Sequence, residues 1–150
     1  MHNNSTKFLV IYKIDTIMKF KKFKSQELTK SEEEIMQILW QLDGGFVKEV
    51  VDQFPEPKPA YNTVSTIIRI LVKKGVVRYE AIGNTHKYIP KISKEEYTKI
   101  YLNHFVGNYF DNSYKTLVSF FTNEEQLSVQ ELEEMKHLLE QEIQKKKSHE

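Results

Sequence analysis

The chain has 150 residues, 39% of them hydrophobic and 29% charged, enough for a compact domain with a small appended module. It contains no cysteine, which removes disulfides, thiolate catalysis, iron–sulfur clusters and cysteine-based zinc sites together and fits a reducing, cytoplasmic setting. The formal charge of +1 conceals an asymmetry: residues 1–92 carry 15 Lys+Arg against 10 Asp+Glu, whereas residues 93–150 carry 7 against 11, so the front of the chain is the part suited to a polyanion.

Residues 1–27 read as an N-terminal arm, partly disordered. Phe8 to Tyr12 is apolar but too short for a membrane span or a usual secretory core, so no membrane insertion is expected. A basic stretch opens at Met18 (MKFKKFK). Either translation starts there, or the arm is frayed or docked on a partner.

Organised sequence begins at Leu28. Thr29 and Glu32 have the spacing of a capping box, and Ile35, Ile38, Leu39 and Leu42 follow at helical intervals. Asp43-Gly44-Gly45 ends this helix. A short second helix carries Val47, Val50, Val51 and Phe54 on one side, and Pro55, Pro57 and Pro59 stop it.

The third helix, Ala60 to Lys74, spans about 22 Å at ~1.5 Å per residue. Val64, Ile67, Ile68 and Leu71 form its apolar stripe. The opposite stripe is Asn62, Ser65, Thr66, Arg69 and Lys73, with no carboxylate. Amide, hydroxyl, guanidinium and ammonium groups are the types that contact base edges and phosphates in a major groove. After Gly75, a β-rich run to Ile82, a Gly83-Asn84 turn and a returning strand from His86 to Pro90 predict a hairpin. Three short helices and a hairpin make a winged helix-turn-helix over 28–92. Its wing tip, Asn84, Thr85, His86 and Lys87, would lie against a DNA backbone, unless the hairpin merely covers the core.

Residues 93–150 are predicted to be three amphipathic helices. Ser93 with Glu96 and Ser128 with Glu131 give two more capping boxes, and Asp111 or Asn112 is placed to cap the middle helix. Tyr97, Ile100, Tyr101, Phe105 and Tyr109 repeat on one face; Leu117 and Phe121, then Leu132 and Leu139, continue the apolar series. So small and aromatic a module exposes large apolar patches unless paired, and a twofold pair of such modules is the economical solution. The expected architecture is mainly α with a small β-hairpin wing: a winged helix-turn-helix followed by a three-helix dimerisation module.

No catalytic signature is present. His2, His86, His104, His137 and His149 are scattered, and HExxH, GxSxG and a glycine-rich phosphate loop are all missing. Neither an enzyme nor a metal or cofactor site is expected.

The segments LTKSEEEIMQILW (28–40), AYNTVST (60–66), LVKKG (71–75) and YIP (88–90) resemble the penicillinase-repressor (BlaI/MecI/CopY) family. The resemblance implies a homodimeric transcriptional repressor on a palindromic double-stranded operator. It implies base recognition by Tyr61, Asn62, Thr63, Ser65 and Thr66, and backbone contacts by Lys73 and Lys74. Many such repressors are released when a membrane-bound sensor metalloprotease responds to β-lactam, and alignment places the corresponding bond at Phe120-Phe121. The copper-responsive members carry a cysteine-rich tail, so thiolate copper sensing does not apply to this chain. Two other readings stay open from sequence: a winged helix that docks a protein, and a metabolite-responsive repressor with an effector pocket among Tyr97, Tyr101 and Phe105.

Overall fold

A computed structural model describes residues 27–123 and 127–149, so the arm, Met18 included, lies outside the described residues. The element order is α1 (Lys30–Gln41), α2 (Val47–Asp52), α3 (Tyr61–Lys73), β1 (Val77–Ile82), β2 (Thr85–Pro90), α4 (Lys94–Phe110), α5 (Tyr114–Thr122) and α6 (Val129–Ser148). The described residues are thus mainly α with one antiparallel hairpin, and the chain divides into two compact units at Ile100/Tyr101.

In the first unit α1, α2 and α3 enclose Ile35, Met36, Leu39, Val50, Val64, Ile68 and Leu71, and Val77 and Tyr88 of the hairpin close the same core. The capping box at α1 forms in both directions: Thr29 N–H donates to Glu32 Oε2 at 2.8 Å, and Glu32 N–H donates to Thr29 Oγ1. The hairpin pairs Val77 with Pro90 through Ile82 with Thr85. Gly83 takes φ +59, the first central position of a two-residue turn where a II′ geometry places glycine.

A third element of sheet is present that periodicity does not announce. Gly45 bridges Tyr88, each N–H donating to the other's carbonyl at 2.9 Å. This pins the hairpin to the end of α1. Gly44 makes the approach feasible, with φ +92 and a would-be Cβ only 2.9 Å from the Tyr88 carbonyl oxygen. Gly44→Ala should therefore cost about 2–3 kcal/mol from the left-handed backbone and the displaced strand, read as a lowered denaturant midpoint. An unchanged midpoint would show that this bridge does not hold the wing.

The division into two units falls inside α4, for a physical reason. Ser93 and Glu96 cap α4 reciprocally at 2.9 and 3.1 Å. Tyr97 then packs on Trp40, ring centroids 5.5 Å apart, and its hydroxyl donates to Glu33 Oε1 at 2.6 Å. Trp40 Nε1–H donates to the Ile92 carbonyl at 2.8 Å. The first turns of α4 therefore belong to the first unit.

In the second unit Ser113, not Asp111 or Asn112, caps α5, accepting from Thr116 N–H. Asp111 and Asn112 instead take φ 49 and 61 and turn the chain out of α4. Phe110 packs on Phe105 and Phe120 at centroid distances of 5.6 and 5.5 Å. Ser128 caps α6 with Glu131. The Ser128 backbone amide, and then its hydroxyl, hold the Glu131 carboxyl below its ordinary range. A carboxylate stabilised by folding contributes above its unfolded pKa and ceases to as pH falls through the depressed one, so this cap is in place at neutral pH. Among the described residues of this unit only Val106 is buried.

Candidate nucleic-acid interface

The site is built on α3. Ala60 precedes it in extended conformation with no side-chain cap, and its first turn contains no acidic residue. Val64, Ile68 and Leu71 fix the helix against the core. That leaves Tyr61, Asn62, Thr63, Thr66, Arg69, Ile70 and Lys73 exposed. The exposed face has no carboxylate, as its sequence pattern predicted.

Three residues sit differently from the sequence expectation. Ser65, expected on the exposed stripe, is buried at 6% exposure, at the edge of the core stripe. Its hydroxyl accepts from Arg69 Nη2 at 3.0 Å, so Ser65 orients the guanidinium from behind rather than facing a groove. Lys74, expected beside Lys73 on a phosphate, is turned inward. Its Nζ lies 2.7 Å from Glu32 Oε2 and donates to the Glu27 carbonyl at 3.1 Å, with the lysine side chain 21% exposed and the glutamate 6%. Tyr97, expected on a dimer face or in an effector pocket, is 9% exposed within the winged-helix core. The signal that would have placed it was legible: Ile92 precedes the Ser93 cap and Tyr97 is the fourth helical residue, the positions of a hydrophobic staple. The inward turn of Lys74 had no such signal.

On the wing, Asn84 is exposed at the turn and Lys87 is half-buried. Glu80 stands directly across the ladder from Lys87, so the wing carries a carboxylate where α3 does not. Tyr79, half exposed, stacks on His86 at 4.5 Å. Of the remaining residues expected at an interface in the second unit, Tyr101, Tyr109 and Leu139 are exposed, while Phe105, Leu117, Phe121 and Leu132 are half-buried. Phe120 and Phe121 both lie within α5. No cluster of metal-ligating side chains occurs among the described residues, and none of their helices is long and apolar enough to cross a membrane.

A family profile described as penicillinase repressor matches residues 28–141, which takes in α3, the wing and most of α6. The chain belongs to the penicillinase repressor family. That family is one of transcriptional repressors and not of enzymes. The chain is similar to the penicillinase repressor of Bacillus licheniformis, 24% identical over 125 residues that make up 83% of this chain and 98% of that one. It is also similar to the methicillin resistance regulatory protein MecI of Staphylococcus aureus (strain N315), 23% identical over 117 residues, or 77% and 95%. A solved structure, the solution structure of the DNA binding domain of the repressor BlaI, aligns at 24% identity and a TM-score of 0.42, covering 47% of this chain and 88% of that one.

Proposed function

We propose that this family member is a sequence-specific DNA-binding repressor that acts as a homodimer on a palindromic operator. The observation that carries the reading is the exposed face of α3, which offers amide, hydroxyl, guanidinium and ammonium groups with no acidic residue to repel phosphate. α3 enters a major groove. Tyr61, Asn62, Thr63 and Thr66 meet base edges, Arg69 is held ready by Ser65, and Lys73 sits on the backbone. Asn84 and Lys87 bring the wing to a neighbouring phosphate. The second units pair two copies through their uncovered apolar side chains, so a half-site is read twice at fixed spacing, and the bound dimer blocks the promoter. Release by a membrane-bound sensor metalloprotease at Phe120-Phe121 would require α5 to open locally, since both residues are helical.

The test is a mobility-shift titration on the promoter upstream of the protein's own gene, at about 50 and 200 mM salt with random DNA as competitor. Specific affinity that falls by orders of magnitude between the two salts is expected for a multi-phosphate complex. Absence of any DNA preference there and in a genome-wide pull-down would leave a winged helix that docks protein. Lys73→Ala should weaken all sequences alike and reduce the salt slope by about one for each protomer, because each lost phosphate contact retains roughly one counterion. A slope that does not change removes Lys73 from the interface.

A further inference from the structure

The exposed face of α3 has one aliphatic member besides its polar groups and Tyr61. Ile70 is 38% exposed and lies roughly 100–160° around the helix from Val64, Ile68 and Leu71, which pack the core. At about 100° per residue it stands one turn beyond Thr66 and two beyond Thr63, so the three make a single row along the helix. All three are β-branched and carry methyl groups. Thr66 Oγ1 donates to the Asn62 carbonyl at 2.8 Å, which commits the hydroxyl proton to the helix backbone and leaves the methyl as the part of the side chain with no such tie. The row is bordered by Asn62, Arg69 and Lys73, all exposed.

An apolar strip alone has many conceivable occupants. Flanking cations without a carboxylate narrow them, because a polyanion gains from both charges while an apolar protein groove would have to desolvate them. Within a major groove the apolar feature is the thymine C5-methyl group. We infer that the Thr66–Ile70 row reads thymine methyls, which makes Ile70 a specificity-determining residue and places thymine opposite the middle of α3 in each half-site. The inference rests on the DNA-binding reading above and adds the base and the atom.

The experiment first selects a binding site from a randomised duplex library with the full-length chain. Each thymine of that site is then replaced singly by deoxyuridine, which deletes only the methyl. At one or more positions in each half-site the wild-type protein should lose about fourfold in affinity, the scale of one buried methyl-sized group. Ile70→Ala, or Thr66→Ser, which deletes the protein's methyl and keeps its hydroxyl, should be indifferent to the same replacement. Ile70 is on an exposed helix face and alanine is a strong helix former, so Ile70→Ala folds. A selected site whose deoxyuridine losses are nil, or equal in wild type and both variants, overturns the inference and leaves DNA binding standing. Failure to select any sequence overturns the DNA-binding reading with it. Altered self-association of Ile70→Ala in sedimentation would assign the row to a protein interface and also overturn it.

Discussion

Replacing Lys74 by methionine should destabilise the winged helix by about 2–3 kcal/mol and leave the salt dependence of DNA binding unchanged wherever the protein is still folded. The Glu32 carboxylate is nearly enclosed and has two donors, the neutral Thr29 N–H at 2.8 Å and the Lys74 ammonium at 2.7 Å, of which only the second compensates its charge. Methionine fills the volume of the lysine stem but removes the cation, so a buried anion keeps a single neutral partner. For a unit of about 100 residues such a loss lowers Tm by roughly 10 °C or more. Adding Glu32→Gln to Lys74→Met should restore part of it, since the amide oxygen still accepts from Thr29 and no charge is left unpaired. Additive losses in the two substitutions would mean that the pair is not coupled. Lys73→Ala supplies the contrast, with stability unaltered and salt slope reduced. Adjacent lysines of one sequence motif would then have separate duties, one joining the C-terminal end of α3 to the cap of α1, the other facing solvent.

That division marks where sequence reading stops. The caps Thr29/Glu32, Ser93/Glu96 and Ser128/Glu131 were legible because each is a local bargain over four residues, independent of the rest of the fold. The hairpin was legible because Gly83 supplies the turn and the flanking strands are β-rich. Lys73 and Lys74 differ by about 100° around the helix, and only the packing of α1 on α3, 42 positions apart in the chain, decides which ammonium meets Glu32. Ser65 sits at the margin of the apolar stripe, where a small hydroxyl suits either side, and only the folded helix shows it buried with its hydroxyl accepting from Arg69. The Gly45–Tyr88 bridge is a single residue of sheet and has no period to detect. Tyr97 looked like the first of a series of interface aromatics because Tyr101, Phe105 and Tyr109 follow it at helical spacing; a periodic stripe does not reveal that its first turn is claimed by Trp40 and Glu33.

For the homodimer proposed above, replacing Leu139 and Ile143 together by glutamate should yield a folded monomer and lower affinity for the proposed operator by at least ~100-fold. Both side chains are at least half exposed and lie one turn apart on α6, with Leu138 beside them. In one copy these groups bury little, so the substitution opens no cavity, and glutamate keeps the helix propensity of leucine. The cost falls on association, where each glutamate would be desolvated against apolar partners. In the proposed dimer operator affinity follows, because the second half-site would be read at an effective concentration set by dimerisation, a gain of order 10²–10⁴ that vanishes when the copies separate. The double lysine variant should behave alike, which separates lost apolar burial from added negative charge on an already acidic half of the chain. Sedimentation velocity reads the first effect and mobility shift the second. On a duplex carrying a single half-site, wild type and variant should bind equally weakly, because the winged helix is untouched. A variant that stays dimeric would move the interface off α6. A monomer that binds the full operator as tightly as wild type would show that one winged helix suffices, and the uncovered apolar face of the second unit would then need another partner.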